Sequence, residues 1–268
     1  MTTLVHRRAT QEDLRQLVRG APKEPTALGD EHRLALRARF RAVASPSHRR
    51  LDAWMVERAG QSADGFRWSP ASARRVLGNA ALRRVGAPRT TPLIEAVRDE
   101  LLDHLLRAAA GHARTGSLAD WLAHSPAPVH ALVTAEALSW AAQVVEIGEG
   151  LEEPWSVALS DAYYDVAGAR TTLRARRDLV TIRGEESVLV RLRSGSPGKS
   201  AGAGLRADLT IATLADPRGV APARLIGLWP DAGVCLAVDG TMDDLRAGAR
   251  DLVRTAVVQQ RRQNRLAA

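Results

Sequence analysis

The sequence predicts an α/β (α+β) protein with a helical N-terminal half and a sheet-containing C-terminal half, on three observations. Apolar residues recur at helical spacing through about residue 145, and from Trp155 they give way to short β-branched and aliphatic runs. Helical spacing then returns over 204–215 and again after 242, so the second half reads helix, three strands, helix, two strands, helix. The expected domains are a helical region over 1–125 and a sheet domain over 126–268. A chain of 268 residues, 45% apolar and 25% charged, is long enough to bury one large core or two modest ones.

Taken in order, Thr10 with Asp13 three residues on marks a first helix start, and Gly20 ends that helix before a Pro-containing loop over 21–29. A second helix begins near Asp30 and stops before Pro46. Leu36, Phe40 and Val43 form its apolar stripe, while Arg33, Arg37 and Arg41 align at i, i+4 and i+8. That row reads either as a phosphate-facing ridge or as a solvated face paired with acids elsewhere. Further helices are predicted over 47–59, 69–85 and 91–113, with Ser69 as a cap and Pro70 in the first turn. Pro88 and Pro92 punctuate a change from basic to acidic composition. A helix over 117–123 ends near Pro126, and one over 128–145 carries Glu136 and Trp140 before a turn at 148–154.

Strands are predicted over 155–159, 172–182, 188–193, 223–229 and 234–238, with a helix over 204–215 between the third and fourth and a last helix from Met242 to about Gln259. Residues 183–186, Arg-Gly-Glu-Glu, join the second and third runs as a hairpin turn. Within that hairpin Asp178 stands among apolar residues, and Arg191-Leu192-Arg193 closes the second strand.

This hairpin resembles the core of the PD-(D/E)XK nuclease superfamily, particularly its RecB-like exonuclease branch, in which one strand carries an Asp and the next a Glu/Asp-x-Lys. Asp178 stands at the first acidic position and Arg191-Leu192-Arg193 where acid-x-Lys is expected. The resemblance covers roughly the last 140 residues and implies a helix before a three-stranded meander, then a helix leading to later strands. An intact site of that kind holds Mg²⁺ on acidic oxygens to polarise a phosphate and lower the pKa of a water, with Lys positioning that water. Residues i and i+2 of a strand face one side, so the spacing survives here while the charges do not. Arg191 removes a ligand and brings a cation where the metal would sit; Arg193 keeps a phosphate-binding charge but is a poor base.

The resemblance therefore implies a catalytically degenerate nuclease-fold protein, a pseudo-nuclease with no cofactor. Such a protein would bind nucleic acid or assist a DNA repair or processing complex, with DNA and a helicase or repair-complex protein as partners. Arg33, Arg37, Arg41, Arg176, Arg191 and Arg193 are the expected nucleic-acid contacts. A salt-bridged Asp178 inside an inert sheet is the plain alternative for the hairpin. Two other functions stay open. One is an active Mg²⁺-dependent nuclease with a migrated carboxylate, in which Asp178 and Glu136 are the catalytic and metal residues and Glu185, Glu186 and Asp208 are further candidates. The other is a protein-interaction module that does not bind nucleic acid.

Charge is unevenly placed along the chain. Of 38 basic residues only Lys23 and Lys199 are lysine, so the formal net charge of +8 is arginine-borne. Residues 1–90 carry 18 basic and 8 acidic groups, 91–168 carry 3 and 12, and 169–268 carry 17 and 10. This suits two basic surfaces facing a polyanion around an acidic segment, or an acidic segment docked on the basic ones. No apolar run approaches the roughly 20 residues that span a bilayer, and 1–8 lacks a signal-peptide core, so a cytoplasmic protein without a membrane partner is expected. The single Cys235 admits neither an internal disulfide nor a structural zinc pair, and its apolar neighbours read as those of a buried strand thiol rather than a catalytic one.

Gly195-Ser196-Pro197-Gly198-Lys199-Ser200 lies between strand and helix like a phosphate-binding P-loop. Arg193 stands where the pattern needs its first Gly, and Pro197 removes a donor, so it reads as an ordinary loop. The seven histidines have no metal-ligand spacing. Tyr163 and Tyr164, between Asp161 and Asp165, read as core packing or a stacking platform near a strand turn, and Trp155 and Trp229 read as core.

Overall fold

A computed structural model of the chain describes residues 2–23, 26–43, 48–58, 67–85, 91–151, 154–158, 160–183 and 186–267. Its elements run α1 (Thr2–Arg19), α2 (Asp30–Arg41), β1 (Arg49–Asp52), α3 (Ala53–Glu57), α4 (Pro70–Val85), α5 (Leu93–Ala109), α6 (Leu118–Ala123) and α7 (Ala127–Glu149). They continue with β2 (Trp155–Val157), β3 (Ala162–Val166), β4 (Thr171–Ala175), β5 (Leu179–Arg183), β6 (Glu186–Leu192), α8 (Ala201–Ala215), β7 (Arg224–Trp229), β8 (Val234–Asp239) and α9 (Met242–Ala267). The mixed α/β class is as predicted. The chain divides into two compact units, Met1–Gln61 with Leu151–Ala268, and Ser62–Gly150. Residue 125, where the sequence placed a domain boundary, lies within the second unit, between α6 and α7.

The first unit contains both sheets. One has the order β1-β4-β3, with β1 parallel and β3 antiparallel to β4. The other has the order β2-β5-β6-β7-β8: β5 and β6 form an antiparallel hairpin, α8 crosses over to bring β7 parallel to β6, and β8 returns antiparallel. Helix α8 packs against strands of both sheets and against α3 and α9. Its small-residue and aliphatic sequence, AGAGLRADLTIATLA, buries Leu205, Leu209, Ile211 and Leu214. Each such side chain contributes about 1.5–3 kcal/mol by leaving water. Gly248 brings α9 close to α8: a Cβ there would sit 2.3 Å from the Arg206 carbonyl oxygen.

Three sequence expectations are corrected. The single strand predicted over 172–182 is two strands in different sheets, because Arg176, Arg177 and Asp178 interrupt the apolar alternation and the chain changes sheet there. The tyrosine segment is itself a strand, β3, with Ala162 and Val166 buried and Tyr163 and Asp165 outward. The helix predicted over 47–59 is a strand followed by one short helix. Arg49–Asp52 pairs with Thr171–Arg174, and helix begins only at Ala53, where the Asp52 side chain caps it by accepting the Met55 N–H at 3.1 Å. Between α7 and α8 there are therefore five strands rather than three, and the order α-βββ-α-ββ-α does not describe the second half. Pro46, Ser47, Ala59, Pro88, Gly184 and Glu185 lie outside the described residues.

The second unit is helical. Ala73, Leu77, Val97, Leu122, Val133 and Ala137 are buried together. Ser69 precedes α4 and its hydroxyl accepts the Ser72 N–H, while Ser117 caps α6 through the Asp120 N–H. Gly78 lets α4 approach α7, since a Cβ there would meet Trp140 Cδ1 at 2.8 Å. Among the described residues no helix is long and apolar enough to cross a membrane.

Candidate functional site

The hairpin places Asp178 and Arg191 together because β5 begins where β6 ends: Leu179 pairs with Val190, so Asp178, one residue earlier, meets the last residues of β6. Asp178 Oδ2 accepts the Leu192 backbone N–H at 2.9 Å and Arg191 Nη1–H at 2.9 Å. Arg191 Nε–H donates in turn to Asp208 Oδ2, from α8, at 3.1 Å. The Arg191 side chain is 7% exposed and that of Asp208 1%, so the carboxylate–guanidinium–carboxylate triad is shut from solvent. Burial alone would lower the Arg191 pKa; the two carboxylates outweigh it and raise it, so the guanidinium stays charged. Burial pushes the Asp208 carboxyl up to about 6 against the pull of Arg191 and Arg193.

Arg193, one residue past β6, donates its backbone N–H to the Leu228 carbonyl at 2.8 Å. Its guanidinium is bonded to Glu57 Oε2 of α3 and lies 5.6 Å from the Trp229 ring centroid. Glu57 was invisible to the sequence reading, because a continuous helix over 47–59 hid the Asp52 cap that starts α3 and aims Glu57 inward. Its other oxygen, Oε1, is buried without a hydrogen-bond partner among the described residues.

Arg176 differs from the other predicted cations. It is half-buried between β4 and β5 and makes no hydrogen bond or ion pair among the described residues. Burial lowers its pKa, and the nearby charges of Arg191 and Arg174 lower it further against Asp52 and Asp161. Arg174, by contrast, is held by Asp161 Oδ2 at 2.8 Å from its Nε.

The arginine row of α2 exists, but its guanidinium groups are bonded to other parts of the fold, Arg33 and Arg37 half-buried and Arg41 exposed. Arg33 Nη2–H donates to the Asp216 carbonyl at 2.8 Å, Arg37 Nε–H to the Tyr164 hydroxyl at 2.9 Å and Arg41 Nε–H to the Ala167 carbonyl at 3.1 Å. The row secures α2 to β3, to the β3–β4 turn and to the loop after α8, chiefly through backbone carbonyls rather than acids. Glu136 lies on α7 in the second unit, with Oε2 buried and unpartnered among the described residues, whereas Asp178 belongs to the first. Glu186 pairs with Arg183, at the opposite end of the hairpin from Asp178. Lys199 is exposed, and Gly195, at φ +73°, donates its N–H to Asp231 Oδ2 at 3.1 Å. Cys235 lies half-buried on β8, its thiol pushed up to about 12 chiefly by burial.

Among the described residues no three His, Cys, Asp or Glu side chains are grouped so that they could hold a metal ion. The two carboxylates that face each other, Asp178 and Asp208, are spanned by a guanidinium, and a divalent ion between them would meet a fixed cation at about contact distance. The residues present do not fit Mg²⁺. No family model, curated protein or solved structure matches the chain.

Proposed function

We propose that this chain is a catalytically degenerate, nuclease-like protein that binds nucleic acid without cutting it, as an accessory to a DNA repair or processing complex. The observation that carries the reading is the Arg191 guanidinium between Asp178 and Asp208, a cation of the chain itself where the resemblance would put a metal. The hairpin, the α8 crossover and the parallel β7 support the resemblance to the PD-(D/E)XK core. They bring the acid at the start of one strand and the Arg-x-Arg at the end of the next to one end of the sheet.

Charge supports the binding half of the proposal. The first unit holds 29 basic and 21 acidic residues and the second 9 of each, so the whole net charge of +8 belongs to the unit that carries the hairpin. Arg176 is the phosphate contact in this reading: an anion there would relieve the repulsion it feels from Arg174 and Arg191.

The test is titration of labelled single- and double-stranded DNA at low and moderate salt with Mg²⁺ or Mn²⁺ present, followed by a denaturing gel. Intact DNA bound in a salt-sensitive manner is the expected result, with Arg176→Ala weakening binding and lowering the salt slope by about one. Metal-dependent cleavage lost in Asp178→Ala would replace the proposal with the active nuclease, and no binding at low salt would replace it with a protein-interaction module.

A further inference from the structure

A cavity of about 220 Å³ opens between α2, α8 and α9, apart from the hairpin and its triad. Its floor is aliphatic, formed by Leu28, Leu36, Leu214 and Leu245. Its rim is basic: His32 and Arg39 come from α2, Arg246 and Arg250 from α9, and no carboxylate lines it. The spacing explains the separation, because His32, Leu36 and Arg39 recur at i, i+4 and i+7 on α2 while Leu245, Arg246, Ala249 and Arg250 recur at i, i+1, i+4 and i+5 on α9. Each helix thus turns its aliphatic side down into the cavity and its cations to the edge.

The rim charges are not all in use. Arg246 approaches His32 Nε2 at 3.4 Å and Asp243 at 3.9 Å. Arg39 and Arg250 are exposed and make no ion pair or hydrogen bond among the described residues. Two unneutralised guanidinium groups beside an aliphatic hollow are complementary to one kind of molecule, an anion with an apolar tail. The volume would hold on the order of seven waters, and an alkyl chain of comparable carbon number or a small aromatic ring occupies similar space.

We infer that this cavity binds a small amphipathic anion, such as an alkyl carboxylate, with its tail on Leu36, Leu214 and Leu245 and its head between Arg39 and Arg250. The site shares none of the residues of the proposed nucleic-acid contact, so the two readings stand or fall separately.

Fluorescence titration of the full chain with anilinonaphthalene sulfonate, itself an apolar anion, reads the site directly. Saturable binding is expected, displaced by decanoate and not by decanol at equal concentration. Arg39→Glu with Arg250→Glu should weaken it at least tenfold. Ala35→Trp, an exposed change on α2 at the cavity mouth, should abolish it without altering charge, leaving DNA binding as it was. Circular dichroism and thermal melts of both variants check that they fold. Unsaturable fluorescence, equal displacement by decanol, or binding unchanged in both folded variants would overturn the inference.

Discussion

At Arg191, one guanidinium keeps two buried carboxylates from facing each other unscreened. Arg191→Ala should therefore destabilise the protein by about 3–5 kcal/mol in urea unfolding, since it leaves Asp178 and Asp208 buried without their cation. The triple change Asp178→Asn, Arg191→Met and Asp208→Asn, which removes every charge, should recover part of that loss. Asp208 also sets a pH dependence. Its folded pKa, about 6, lies above the ordinary Asp value, so the folded state binds the extra proton. The stability this contributes is complete below about pH 4 and is lost as pH rises through about 6, on the order of 3 kcal/mol at most. Asp208→Asn should flatten that part of a stability-against-pH curve; an unchanged slope would show that Asp208 is ionised throughout. Cys235, pushed to about 12, stays a thiol at neutral pH and should react with iodoacetamide many times more slowly in the native than in the unfolded chain.

At the level of elements, close contacts explain several positions. Gly248→Ala would set a methyl carbon 2.3 Å from a backbone oxygen of α8, forcing α9 outward, and about 1–3 kcal/mol of stability should go with it, read from the thermal midpoint. The long helices and the later strands were legible because their pattern is local: Leu36 and Phe40 on α2 declare a buried side, and the unbroken apolar run from Leu225 to Trp229 declares a strand buried on both faces, without knowledge of partners. The Asp178–Arg191 contact was legible for a related reason, since a hairpin brings the two positions to one end through a short loop. What escaped was non-local. Strand β1 is four residues long and pairs with a segment over a hundred residues later, so nothing in Arg49-Arg50-Leu51-Asp52 announces a sheet. The change of sheet at Arg176–Asp178 is a tertiary event, and a run of β-formers on either side disguised it. Glu57 and the bonds of Arg33, Arg37 and Arg41 were hidden likewise, because a side chain's partner across the fold leaves no mark on its own helix.

On the scale of the molecule, each unit has a buried cluster of its own, and thermal unfolding should show two transitions, with Arg191→Ala lowering one and leaving the other in place. A single transition shifted as a whole by Arg191→Ala would mean that the units unfold together. Binding of DNA, if charge drives it, should follow the first unit alone, the second being neutral overall. The first unit is also interrupted: the chain leaves it after Gln61 and returns at Leu151. On the ribosome, the helical insert is complete before β4 exists, so the insert can fold while β1, made early, stands without the strand it pairs with. At about 5–20 residues per second that interval is on the order of ten seconds. Arg49 and Arg50, side by side in a strand of four, give the waiting segment the charge that discourages it from pairing with another nascent chain.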